Sequence, residues 1–124
     1  MSGQNPSQIV QDYLAAMEAR DLEKAATYLA GGFVMIFPGG VEFSKPAELV
    51  EWARDRYRSI GKRYERFDET VGEGGRAVYC YGTLYGEWPD GNAFEGIRFI
   101  DRFTVADGKL VDQRVWNDLA EMKP

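Results

Sequence analysis

The sequence contains no histidine in 124 residues. Histidine is the commonest general base and a frequent metal ligand, so its absence excludes a Ser-His triad and most zinc or iron sites. A phosphate-binding glycine motif is missing too, because Gly72, Gly74 and Gly75 lie in a polar segment that predicts a turn. We therefore expect no metal and no other cofactor.

Cysteine and long apolar runs are also scarce. Cys80 is the only cysteine, so an intrachain disulfide cannot form. No apolar run approaches the length of a signal core or a membrane span. These features predict a cytoplasmic protein with no membrane partner.

The charge balance is acidic, with 15 Lys and Arg against 20 Asp and Glu and a net charge of -5. This balance argues against nucleic acid as a partner, since nucleic-acid binding needs a cationic face. One basic cluster is interleaved with Asp55 and Glu65, and we interpret it as a solvated helix face with its exit loop. Its members are Arg54, Arg56, Arg58, Lys62, Arg63 and Arg66. The chain length suits a single domain over residues 1–124.

Helical patterns dominate the first half of the chain. Apolar spacing predicts an amphipathic helix over about residues 6–19. A second helix is expected after Asp21 and ends at Gly31-Gly32, and a third runs from near Ser44 to Gly61. A short apolar strand, 33–37, lies between the second and third helices.

The second half reads as strands and turns. A weak strand at 67–71 precedes long strands at 77–88, 93–105 and 109–117, separated by turn sequences at 89–92 and 106–109. The order α-α-β-α-β-β-β-β predicts an α+β fold in which a curved, mostly antiparallel sheet wraps over helices.

Asp101 is the most informative residue. Strand alternation places it on one face with four apolar side chains, those of Ile97, Phe99, Phe103 and Val105. A carboxyl among such neighbours is costly unless it is paired, hydrogen-bonded or protonated. It is therefore either a satisfied structural acid or a functional group.

Two stretches resemble the nuclear transport factor 2-like superfamily, which includes ketosteroid isomerase and the SnoaL-like polyketide cyclases. They are residues 10–22 with the later Phe37-Pro38 turn, and residues 100–111. The resemblance implies a cone-shaped α+β barrel around three helices of the N-terminal half. It also implies cofactor-independent chemistry and a homodimer.

The resemblance assigns roles to two residues in particular. Tyr13 matches the oxyanion-hole tyrosine of ketosteroid isomerase, and Asp101 matches its partner, a neutral acid that donates a hydrogen bond. The position of the isomerase's general base holds Phe37, which cannot move a proton, so steroid-enone isomerisation should be absent or very weak. A base would have to come from Asp118, Glu42, water or the substrate.

The expected pocket suits a small apolar or aromatic ligand. Its predicted lining comprises Phe37, Trp52, Tyr57, Phe99 and Phe103, together with Gln113, Val115 and Asn117 of the last strand. This register requires Val111 and Val115 to face the cone. The opposite register would turn Asp112, Arg114 and Trp116 inward.

Three function classes remain open. The first is an isomerase-, cyclase- or dehydratase-like enzyme that polarises a substrate oxygen with Tyr13 and Asp101. The second is a ligand-binding module without turnover, and the third is an association domain. The outer sheet face should carry Ile100, Arg102, Arg114 and Trp116, and we expect a homodimer to form through it.

Overall fold

The computed structural model describes residues 5–124, which form four helices and six strands. The helices are α1 Pro6–Glu18, α2 Leu22–Ala26, α3 Pro46–Ala53 and α4 Leu119–Met122. The strands are β1 Leu29–Phe37, β2 Val41–Phe43, β3 Ser59–Gly72, β4 Gly75–Glu87, β5 Ala93–Ala106 and β6 Lys109–Asn117. None of the helices in residues 5–124 is long and apolar enough to cross a membrane.

The strands form one sheet in the order β2-β1-β6-β5-β4-β3. All neighbours are antiparallel except β1 and β6, which run parallel. The sheet does not close, so it forms a curved cone with β2 and β3 at its edges. The apolar stripe of α1, including Val10 and Tyr13, packs into one core with the inward residues of β4 and β5.

The predicted fold class is confirmed. The stretches 77–88, 93–105 and 109–117 lie in three consecutive antiparallel strands, β4 to β6. Helices α1, α2 and α3 occupy the N-terminal half, as expected. The turn sequences identified these hairpins because they supply the residues that tolerate tight backbone turns.

The segment after α3 differs from the prediction. The helix ends at Ala53 rather than near Gly61, and β3 begins at Ser59 and pairs with β4 along its whole length. Two glycines of β4 permit this pairing: a Cβ at Gly82 would collide with the Arg63 carbonyl, and one at Gly86 with the Ser59 carbonyl. Tertiary strand pairing therefore overrides the local helical pattern.

Other boundaries also differ. Gly31-Gly32 lie within β1 instead of ending a helix, since α2 stops at Ala26. The short elements β2 and α4 were not predicted from the sequence. Each is too short to show a clear hydrophobic period.

Candidate functional site

A cavity of about 160 Å³ opens between α1, α3 and the concave face of the sheet. Tyr13 of α1 and Asp101 of β5 both lie on its wall. Other predicted residues that line it are Phe37, Trp52, Tyr57, Phe99, Gln113, Val115 and Asn117. Helix periodicity and strand alternation thus orient most of the predicted pocket residues toward one cavity.

Phe103 is the exception among the predicted lining residues. Its ring is fully buried in the core and contacts Tyr13 edge-on, with the ring centroids 6.1 Å apart. It shares a strand face with Asp101, but Tyr13 covers it. Phe103 therefore lies in the core against Tyr13 and not among the residues that line this cavity.

The last strand has the register that places Gln113 and Val115 inside, where they are buried. Val111 does not follow the expected alternation, because its side chain is exposed. Thr104 pairs with Asp112 while Val105 pairs with Leu110, so Val111 is the extra residue of a β-bulge. The bulge reverses the alternation between Leu110 and Gln113.

Asp101 is ion-paired with Lys62, a residue that the sequence analysis placed in the solvated loop after the third helix. The Lys62 Nζ atom lies 2.5 Å from Asp101 Oδ2. The Asp101 side chain is 0% exposed and that of Lys62 is 25% exposed. Lys62 belongs to β3, where Ile60, Lys62 and Tyr64 all line the cavity in the alternation of a strand.

The ion pair with Lys62 favours a different form of Asp101 from the neutral donor that the resemblance implies. A neighbouring cation favours the ionised carboxyl, and a carboxylate can only accept hydrogen bonds. Burial lowers the pKa of Lys62, but Asp101 more than offsets that effect, so the pKa of Lys62 is raised and its ammonium stays charged. The site therefore contains a carboxylate held beside a permanent cation.

Three buried polar atoms on the cavity wall have no hydrogen-bond partner within the described chain. They are the Tyr13 hydroxyl, Asp101 Oδ1 and Gln113 Oε1. Gln113 lies diagonally across the β5–β6 ladder from Asp101, whose direct partner is Val115. Because an unpartnered buried polar atom is costly, a ligand that pairs with these atoms would bind favourably.

Neutral forms dominate among the other titratable groups around the pair. Burial raises the pKa of Tyr13, with a further increase from Asp101 and a decrease from Lys62, so its hydroxyl remains a donor. Burial likewise raises the pKa of Tyr64 to about 12 and that of Cys80 to about 12. Cys80 is therefore a poor nucleophile, which agrees with its buried position.

The two side chains suggested from the sequence as alternative bases are engaged or exposed elsewhere. Asp118 Oδ2 accepts a 2.6 Å hydrogen bond from Arg98 Nε, and Glu42 is exposed on edge strand β2. Neither residue lines the cavity wall. Phe37 does line it, in an aromatic cluster with Phe43 and Trp52.

A family model described as SnoaL-like domain matches residues 10–113. The chain is similar in fold to an NTF2-like protein of unknown function from Burkholderia pseudomallei, at 19% identity and a TM-score of 0.80, covering 96% of this chain and 95% of that chain.

TerC co-crystallised with polyporic acid also has a TM-score of 0.80, at 18% identity, covering 94% of this chain and 95% of that chain. A candidate polyketide cyclase from Xanthomonas campestris has a TM-score of 0.70 and 20% identity, covering 93% of this chain and 91% of that chain. No curated protein gives a significant match. At these identities, the solved structures establish the fold alone.

Proposed function

The chain belongs to the SnoaL-like domain family, and from that premise we propose that it is a cofactor-independent enzyme of the isomerase, cyclase or dehydratase type. Its substrate is a small, largely apolar carbonyl or polyketide-like compound. The observation that carries this proposal is the Asp101 carboxylate, which is paired with Lys62 through one oxygen and has a free, buried second oxygen. The neighbour TerC was co-crystallised with polyporic acid, which supports an oxygen-bearing ligand of this kind.

In the proposed chemistry, Asp101 Oδ1 is the general base. It takes a proton from the carbon beside the substrate carbonyl, and the electron pair of the C–H bond moves onto the carbonyl oxygen to give an enolate. The proton then returns from Asp101 to another carbon, or the enolate carbon attacks a second carbonyl of the same molecule, whose oxygen becomes an alkoxide and takes the proton from Asp101. These two outcomes are isomerisation and cyclisation.

Tyr13 and Lys62 stabilise the negative charge that develops during proton transfer. The Tyr13 hydroxyl has no hydrogen-bond partner within residues 5–124, so it can donate a hydrogen bond to the carbonyl oxygen. The Lys62 ammonium holds Asp101 ionised before the transfer and remains close as the charge moves to the substrate. The apolar wall, including Phe37 and Phe99, limits water around these groups.

Tyr13→Phe tests the role of the hydroxyl. The probe is 2-tetralone, a small bicyclic ketone, whose α-protons should exchange in D2O faster with the wild-type protein than in buffer. Loss of one oxyanion donor should lower the enzyme-catalysed rate by about 10²–10³-fold. The unfolding free energy should be unchanged or higher, because the deleted hydroxyl has no hydrogen-bond partner in the described part of the chain. Proton NMR measures the exchange, and an unchanged rate would remove Tyr13 from the mechanism.

A binding module without turnover is the second candidate, and Phe37 favours it. Phe37 occupies the position that the resemblance assigns to a general base, and it packs against Phe43 and Trp52 with ring centroids 5.8 and 5.7 Å away. In this case, 2-tetralone would bind to the wild type without any exchange above the buffer rate.

We also propose that the chain is a cytoplasmic homodimer that pairs through the outer sheet face. Trp116 is 50% exposed there and Ile100 is 37% exposed, on neighbouring strands in direct register. Light scattering at micromolar concentration should give twice the mass of the chain, and Trp116→Glu should give the monomer mass. A wild-type monomer would exclude this dimer.

A further inference from the structure

Two arginines on the cavity wall have no carboxylate partner within residues 5–124. Arg20 follows the end of α1, and Arg56 follows the end of α3. The Arg20 guanidinium donates a 2.6 Å hydrogen bond to the Met17 carbonyl, and Arg56 lies over the Trp52 ring, 4.2 Å from its centroid. Both retain guanidinium donors that no group of residues 5–124 uses, and Glu18 is the one carboxylate that shares this part of the described wall.

The backbone of Arg20 is unusual for its residue type. Its φ angle is 59°, and it follows the C-cap residue of α1, a position that glycine usually occupies. A side chain in this conformation costs stability, and such costs are concentrated at functional sites. The residue that adopts this strained conformation also lines the cavity.

Tyr57 connects the two arginines with the interior of the site. Its side chain is half-buried on the cavity wall, and burial raises its pKa while Arg20, Lys62 and Arg56 each lower it. All three cations therefore act on one phenol group. Since Lys62 is paired with Asp101, the positive charge without a carboxylate partner in residues 5–124 lies at Arg20 and at Arg56, which stacks over the ring of Trp52.

We infer that the substrate is an aromatic acid, whose anionic group is bound by Arg20 and Arg56 at the mouth and whose ring stacks in the aromatic cluster of Trp52. The inference deepens the proposed function by naming the substrate class. It rests on that function for the proton transfer at the substrate carbonyl. Guanidinium groups recognise carboxylates through paired hydrogen bonds, and Arg56 is already held in place by its stacking on Trp52.

The test compares two probes of similar size, 2-naphthoate and the neutral 2-naphthamide, by isothermal titration calorimetry. The wild type should bind the acid roughly tenfold more tightly than the amide, since a hydrogen bond to a charged group is stronger than one to a neutral group. The preference should fall as salt is raised, because the mouth is open to solvent. Equal affinities for the two probes would overturn the inference.

Arg20→Gly and Arg56→Gln provide the matched variants. Each should weaken 2-naphthoate binding by roughly tenfold and leave 2-naphthamide binding unchanged. Arg20→Gly should melt at or above the wild-type temperature, because glycine accepts the positive φ without strain. Glu18→Gln, which removes the opposing charge at the same mouth, should tighten 2-naphthoate binding. If the variants weakened the binding of both probes equally, the arginines would have a packing role instead, and the proposal would be contradicted.

The outcomes separate this inference from the proposed function. If the acid preference depends on Arg20 and Arg56 but 2-tetralone does not exchange, the charge recognition stands and the proton-transfer chemistry fails. If Asp101-dependent exchange occurs while the two naphthyl probes bind equally, the chemistry stands and the acidic substrate class is wrong.

Discussion

Asp101→Asn is expected to lower the α-proton exchange rate of 2-tetralone by about 10²–10⁴-fold, the usual contribution of a positioned general base. The amide keeps the shape of the side chain and an oxygen acceptor for Lys62, but it cannot take up a proton from carbon. The variant should therefore fold and still bind 2-tetralone. The measurement is proton NMR in D2O, with binding followed separately by calorimetry.

Glu42→Gln is the matched control for this substitution. It also converts a carboxylate to an amide, but on the exposed edge strand β2 and away from the cavity wall. Its exchange rate should equal that of the wild type. If Asp101→Asn retained the full rate, another base would be required and the proposed role of Asp101 would be abandoned.

Lys62→Met is expected to lower the unfolding free energy by about 3–5 kcal/mol, because it leaves the fully buried Asp101 carboxylate without its cation. Methionine retains the apolar stem, so the loss reports the charge rather than the packing. Urea denaturation measures the change. Lys24→Met, an exposed lysine of α2, is the control and should stay within about 0.5 kcal/mol of the wild type.

The double variant Lys62→Met/Asp101→Leu completes the test of the pair. A buried ion pair can often be replaced by apolar side chains at little cost, so the double variant should recover most of the stability that Lys62→Met loses. Equal destabilisation in the single and double variants would contradict this account, because the loss would then not come from an unpaired Asp101 carboxylate.

Strand alternation predicted the inward face of β5 correctly, since five alternating positions from Ile97 to Val105 are all buried. Helix periodicity similarly predicted that Tyr13 is buried on α1. These predictions succeeded because one apolar face fixes the orientation of a regular element, whatever its neighbours are. The location of the site on the concave sheet face followed from the same patterns.

Lys62 was missed for a tertiary reason. The helical pattern of apolar residues before it was predicted to end at Gly61, which left Lys62 in a loop, and only the pairing of β3 with β4 makes this segment a strand. The alternation of Ile60, Lys62 and Tyr64 was the one available signal, but a charged residue in such a short run also fits a surface. The charge state of Asp101 could not be predicted without this long-range partner, 39 residues away.

Val111 and Phe103 illustrate two smaller limits on predicting side-chain positions from the sequence. The bulge that exposes Val111 depends on how β5 and β6 are matched, which no local pattern specifies. Phe103 has the correct face but the wrong depth, because Tyr13 lies between it and the cavity. Patterns in the sequence give the direction of a side chain, whereas packing decides which residue reaches the ligand.

The most direct test of the account is the carboxyl ¹³C NMR signal of Asp101 at neutral pH, assigned by its disappearance in Asp101→Asn. A base paired with Lys62 should give the chemical shift of an ionised carboxylate, and adding 2-tetralone should perturb that signal. A protonated carboxyl at the same pH would contradict the account, because Asp101 would then be a hydrogen-bond donor and could not accept a proton from the substrate.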